Sequence, residues 1–118
     1  MNFPRHERTL LIHPEFLNPE GNLFGGNMMK WADDMAYIAA SLAFPEATFV
    51  TKLFGQFDFK EPVRLGSIIT IYSQVVETRV TSARTDVWAA DNRSGDEVFR
   101  TFAVMVNVKN GQKVSLEP

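Results

Sequence analysis

Residues 22–40, NLFGGNMMKWADDMAYIAA, decide how this chain is read. At about 100° per residue, Met28, Met29, Ala32, Met35, Ala36, Ala39, Leu42 and Ala43 share one continuous arc, the pattern of an amphipathic helix. The arc is wide, so the helix is predicted to be largely enclosed by other structure. Pro45 ends it, because proline restricts the residue before it and has no N–H to donate. Within this apolar segment stand two adjacent carboxylates, Asp33 and Asp34, and charged side chains are seldom buried unless something pairs with them or uses them. With Met28 at 0°, the arc centres at ~30°, Asp33 falls at ~140° on its rim, and Asp34 falls at ~240°, pointing away. Asp34 therefore reads as a solvated residue or one half of an interchain ion pair. Asp33 reads either as a structural rim residue or as a catalytic group.

Outside the helix, the sequence withholds several chemistries. Adjacent helical carboxylates diverge too far to converge on one ion, and the two histidines, His6 and His13, lie elsewhere. With no cysteine there is no thiolate ligand, thiol nucleophile or disulfide, so no metal site is expected. No G-x-S-x-G elbow is present for a serine triad. His13 is assigned no chemistry. From Pro14 to Gly26 the composition shifts to Pro, Asn, Glu and Gly, which reads as an ordered loop. Gly21, Gly25 and Gly26 are either turn residues or, for the Gly25-Gly26 pair, bare N–H groups at a helix start. Such groups suit an anion or a developing oxyanion.

After Pro45 the periodicity changes from 3.6 to 2. Thr51, Leu53, Gly55, Phe57 and Phe59 alternate with Lys52, Phe54, Gln56, Asp58 and Lys60 in a first strand. Three more strands follow in SIITIYSQVVE, VTSARTDVWAA and EVFRTFAVMVNV, separated by turn residues and closed by Asn110-Gly111. A short edge strand is expected over Arg8–His13. Tight connections make the sheet antiparallel, and the helix is the one element able to cover a face, giving an α+β fold. The last strand is apolar on both alternating sets, which points to a covered outer face and hence to an oligomer.

At 118 residues, with 45% hydrophobic and 22% charged content, one domain over 1–118 is expected. A net charge of −2 without a basic stripe disfavours nucleic acid as a partner. The first residues lack the layout of a secretory signal, and no apolar run approaches about 18 residues. A soluble, cytoplasmic protein without membrane partners is the expectation.

Taken in order, FLNPEGNLFGGNMMKWADDMAYIAA resembles the signature of the hotdog-fold acyl-CoA thioesterases, the group with short bacterial and tandem brain-type members. Asn18, Gly21, Phe24, Gly25, Gly26 and Asp33 occupy the signature positions. FVTKLFGQFDFKEPVRLGSII, VTSARTDVWAA and FAVMVNVKNGQKV extend the resemblance over nearly the whole chain. The resemblance implies a single hotdog fold, one long central helix wrapped by a five-stranded antiparallel sheet, in homodimers that assemble into a tetramer or hexamer. It implies hydrolysis of an acyl-CoA thioester to free acid and CoA, with coenzyme A entering as part of the substrate and no separate cofactor. Asp33 matches the catalytic carboxylate, as general base or nucleophile. Gly25, or adjacent Gly26, matches the oxyanion donor, and Asn18 the amide that holds the carbonyl or the attacking water. Phe24, Thr51, Ser82 and Arg84 are expected to meet the substrate, Arg84 on grounds of charge. Met28, Met29 and Phe57 are candidates for an acyl tunnel, each also readable as plain core. The chain departs from the pattern at Phe16, where an acidic residue is common, at Asn27, where an apolar one often stands, and at Ser67 in place of Asp.

Helical geometry constrains that transfer. Gly25 and Asp33 lie eight residues apart, about 12 Å at 1.5 Å per residue, whereas one carbonyl must meet nucleophile and oxyanion donors at about 3 Å. One helix cannot offer both, but two antiparallel helices from two subunits can. Two alternatives stand beside hydrolysis: a hotdog dehydratase or hydratase, for which His13 lacks the Gly/Pro-rich setting, and a non-catalytic acyl-CoA-binding domain.

Overall fold

The computed structural model describes residues 2–117. Strand β1 (His6–Leu11) leads through a short 3-10 turn (Pro14–Phe16) to helix α1 (Gly25–Ala43). Strands β2 (Phe49–Phe54), β3 (Asp58–Phe59), β4 (Ile68–Thr78), β5 (Ser82–Asp91), β6 (Glu97–Lys109) and β7 (Gln112–Lys113) follow. The sheet runs β1-β4-β5-β6-β2, with every pair antiparallel, and the two-residue strands β3 and β7 both add to β6. One helix packed against a curled antiparallel sheet is a single hotdog fold, as expected, with five principal strands.

The helix turns Met28, Trp31, Ala32, Met35, Ala36, Ala39 and Ala40 to the sheet. Their partners are the inward positions of three strands: Ile69, Ile71, Ser73 and Val75; Ala83, Thr85, Val87 and Ala89; Phe99, Thr101, Ala103 and Met105. Enclosing a side chain such as Met28 or Phe99 stabilises the fold by about 1.5–3 kcal/mol. Beneath this face the Ser73 and Thr85 hydroxyls are buried without a partner among the described residues. The arc differs from expectation at its edges. Met29 and Leu42 are exposed, while Trp31 and Ala40 take their places in the core. Leu42 has the right angle but sits in the last turn of α1, one residue from its C-terminal Ala43.

Strict alternation also fails after Thr51. A bulge at Lys52 sets two residues against one on β6, so Phe49, Thr51 and then Phe54 face inward while Leu53 is exposed. The strand breaks at Gly55, which sits so close to the Phe102 ring that a methyl there would collide with it. Phe57 packs on Phe54 and Phe99 as core, and Phe59 is half exposed. On the sheet's outer face Tyr72 stacks on its cross-strand partner Trp88 at 5.5 Å, with Arg5 over the tyrosine and Arg100 over the indole. Arg84 lies 3.7 Å above the Phe102 ring. Part of the apolar outer set of β6 is thus covered from within the chain, a smaller demand for a partner than the strand's sequence implied.

Candidate active site

Asp33 and Thr51 meet where the rim of α1 faces β2. The Thr51 hydroxyl donates to Asp33 Oδ1 at 2.7 Å, and Met105 Sδ lies 3.5 Å from Thr51 Oγ1. A hydroxyl has one proton, and the short bond to a carboxylate outcompetes the thioether, so the proton belongs to Asp33. Among the described residues nothing donates to Asp33 Oδ2. The inward register ahead of the Lys52 bulge aims Thr51 at the helix.

A cleft of about 360 Å³ opens around this pair, lined by Arg8, Asp33, Asp34, Tyr37, Ile38, Phe49 and Thr51. Asp33 is partly buried and Asp34 exposed, as their helical angles required, yet both border the same cleft. Arg8, Tyr37, Ile38 and Phe49 were not anticipated there. Tyr37 and Ile38 carried a readable signal, since each follows one of the aspartates by four residues on a helix. Arg8 reaches the cleft from β1 and had none.

At the helix start, Phe24 occupies the cap position in an extended conformation, with no side chain capping the first turn. Neither the Gly25 nor the Gly26 amide has a hydrogen-bond partner among the described residues, so two bare donors sit at the positive end of the helix dipole. The Phe24 ring is folded against Gly26, leaving no room for a methyl, whereas one on Gly25 would meet only Phe59 Cζ at 3.5 Å.

Asn18 is held in a tight loop in which its side-chain oxygen accepts the Glu20 and Asn22 N–H groups at 3.0 Å each. Two backbone donors settle which end of the amide is oxygen, so the Nδ2 group is the end left to offer. The cleft around Asp33 includes none of Asn18, Gly25 and Gly26. One chain thus carries two separate candidate half-sites, a carboxylate with its threonine and a donor cluster at the start of the helix, eight residues before Asp33.

Ser82 and Arg84 lie on the other side of the sheet, in a shallow depression of about 300 Å³ with Lys52, Leu53, Glu77, Arg79, Phe102 and Val104. Arg79 is paired with Glu77 and Arg84 with Asp86. Of the three side chains considered for a tunnel, Met28 and Phe57 are core and Met29 is exposed. A larger groove of about 570 Å³ lies at the far end of the helix, between Phe44 and Leu116, remote from both half-sites. Its buried Asn107 is satisfied by the Thr48 N–H and the Ser115 carbonyl. Among the described residues no three His, Cys, Asp or Glu side chains converge on a metal position.

A helix packed inside a curled antiparallel sheet, with a carboxylate on its rim and bare amides at its start, defines a hotdog domain. A family model, the thioesterase superfamily, matches residues 20–95, and the chain belongs to that family. Acyl-coenzyme A thioesterase 11 of Mus musculus is 29% identical over 120 residues, a match covering 93% of this chain. The chain spans about a fifth of that relative, 20% of its length. A hexameric hotdog fold thioesterase of Campylobacter jejuni is 32% identical with a TM-score of 0.78, over 92% of this chain and 86% of that one. The acyl-CoA hydrolase of Staphylococcus aureus, solved with butyryl coenzyme A and coenzyme A, has a TM-score of 0.87 over 94% of this chain and 68% of that one. At 21% identity that likeness speaks for the fold.

Proposed function

We propose that this chain hydrolyses acyl-CoA thioesters to a free acid and CoA, working as a dimer or a larger assembly of dimers. The observation that carries the reading is Asp33, with one carboxylate oxygen pinned by Thr51 and the other open to a cleft. The Asp33 of one subunit faces the Gly25 N–H and the Asn18 amide of its partner across two antiparallel helices. Met29, Tyr37 and Ile38, apolar and exposed along the helix, supply surface for that contact. The hexameric Campylobacter relative supports self-assembly.

In this arrangement the thioester carbonyl oxygen lies among the Gly25 N–H, with Gly26 beside it, and the Asn18 Nδ2 group. These donors stabilise the charge that develops as the carbonyl carbon becomes tetrahedral, each worth about 10²–10³ in rate. Asp33 Oδ2 then serves in one of two ways. As a base it takes a proton from water, whose oxygen bonds to the carbonyl carbon; as a nucleophile it forms an anhydride that water cleaves. In both, the C–S bond breaks and CoA leaves as a thiolate that gathers a proton. Thr51 fixes the carboxylate in either role. Phe24 borders the oxyanion donors, and the depression holding Lys52, Arg79, Ser82 and Arg84 offers cations for the CoA phosphates. The chemistry described uses coenzyme A only as a part of the substrate and calls for no metal.

The test is a panel of acyl-CoAs with thiol-release detection on the wild type and Asp33→Asn, with assembly size measured for both. Release by the wild type and its loss in an equally assembled variant is the expected result. Near-wild-type release by the variant refutes the assignment, and turnover of enoyl- or hydroxyacyl-CoA without thiol release moves the protein to the dehydratases. Single-turnover hydrolysis in ¹⁸O-water identifies the nucleophilic route with water attacking the Asp33 carbonyl of the anhydride, because only that route puts an enzyme oxygen into the acid.

A further inference from the structure

Two of the positions where this chain departs from its family's pattern, Phe16 and Asn27, touch each other. The Phe16 carbonyl accepts the Phe24 N–H at 2.8 Å and also the Asn27 side-chain amide at 3.1 Å. The Phe16 ring packs edge-on against Trp31, centroids 5.2 Å apart at 90°, and Trp31 is buried. Asn27 and Trp31 stand one turn apart on the same face of α1, so a single residue before the loop grips the helix at two levels. The loop between is closed on itself: Leu17 bridges Leu23, the Asn18 N–H donates to the Asn22 carbonyl at 2.7 Å, and Leu23 N–H donates to the Val63 carbonyl. Asparagine in a first helical turn gains little from intrinsic propensity. Its side chain contributes instead through the bond to Phe16.

We infer that Asn27 is a positioning residue: with Phe16 it forms a clasp that holds the Asn18 amide and the Gly25–Gly26 N–H groups in one fixed arrangement. The inference rests on the proposed role of those donors in hydrolysis. Loss of the clasp leaves each donor present and lets the loop shift against the helix, which lowers kcat more than it raises KM. The size of the loss is about tenfold, below the ~10²–10³ of removing a donor itself.

Asn27→Ala and Asn27→Asp are compared with the wild type in kcat, KM, unfolding temperature, assembly size and amide hydrogen exchange of residues 16–27. Asn27→Ala is expected to lose about tenfold in kcat. Its KM, unfolding temperature and assembly stay unchanged, and its 16–27 segment exchanges faster. In Asn27→Asp the ionised carboxylate cannot donate to the Phe16 carbonyl but the protonated acid can. Its kcat relative to wild type therefore rises as pH is lowered from about 6.5 to about 4, through the ordinary aspartate range, a response that a packing defect would not give. An unchanged kcat in Asn27→Ala, or a constant Asn27→Asp ratio across pH, overturns the inference. A wild type that releases no thiol from any acyl-CoA refutes the parent reading instead. Hydrogen exchange then decides the clasp alone: faster exchange in Asn27→Ala supports it and unchanged exchange ends it.

Discussion

Thr51→Val removes one proton donor and almost nothing else. Valine keeps the branched shape and suits a strand, so β2 should hold its register and the unfolding temperature should fall by no more than the lost bond accounts for. What disappears is the 2.7 Å bond to Asp33 Oδ1. Hydrogen bonds to a charged group contribute about 1.5–3 kcal/mol, and the partial exposure of both residues lowers that to about 1–2 kcal/mol. At 1.4 kcal/mol per tenfold, kcat should drop by about 5- to 30-fold. Steady-state thiol release against acyl-CoA concentration is the assay, and the split between constants is the informative part. A threonine that orients the carboxylate leaves KM within about twofold and lowers kcat; a threonine that holds substrate raises KM. Thr51→Ser, which keeps the hydroxyl, should stay near wild type. The reasoning fails if Thr51→Val retains its kcat, or if Thr51→Ser loses as much as Thr51→Val.

Further expectations concern both half-sites and the outer face. Gly25→Ala should fold as well as wild type, since its methyl meets only Phe59 at 3.5 Å, but lose at least about tenfold in thiol release by obstructing approach to the oxyanion donor; full activity would remove Gly25 from the site. Asn18→Ala should cost about 10²–10³ in kcat, and a change confined to thermal unfolding would make Asn18 a loop residue alone. Glu97 is held below its ordinary carboxylate range chiefly by its bond to Arg100, with help from Lys60 and against some desolvation. That contribution is complete above the unfolded value near 4.5 and is lost as pH falls through the lowered folded value. Glu97→Gln should accordingly lower stability near neutral pH by about 0.5–1 kcal/mol and flatten the acid limb of a melting-temperature profile; a parallel shift at every pH would contradict it.

The order of elements was legible because each period ran long enough to count. Nineteen helical residues ending before Pro45 and three long strands from Ile68 to Lys109 left little choice of architecture. What escaped was local and tertiary. The bulge at Lys52 has no composition of its own, so alternation carried past it groups Leu53 with Thr51, whereas Phe54 is the residue that turns inward. Trp31 lies at the rim of the apolar arc, and its burial comes from Phe16, fifteen residues earlier. At the site, helical angle separated Asp33 from Asp34, and the motif pointed to Thr51 but not to the bond that makes it Asp33's partner. Arg8 could not be read, because only the curl of the sheet brings β1 to the cleft. Ser82 and Arg84 were chosen by motif and charge, and strand alternation puts them on the face opposite the carboxylate.

The alanine-rich side of α1 has a consequence for selectivity. Ala32, Ala36, Ala39 and Ala40 share one buried cluster with Ala83, Ala89 and Ala103, all essentially inaccessible, and the Ser73 and Thr85 hydroxyls, without partners among the described residues, lie in the same layer. Small residues let the helix settle close to the sheet, and a densely packed seam of this kind has no slot for a fatty chain. On the proposed function, a long acyl tail would run along the helix's other side, past Tyr37 and Ile38, under a wall built by neighbouring subunits. The ruler for chain length would then be assembled from several copies, and substitutions at subunit contacts would retune which acids are released without touching any reacting atom.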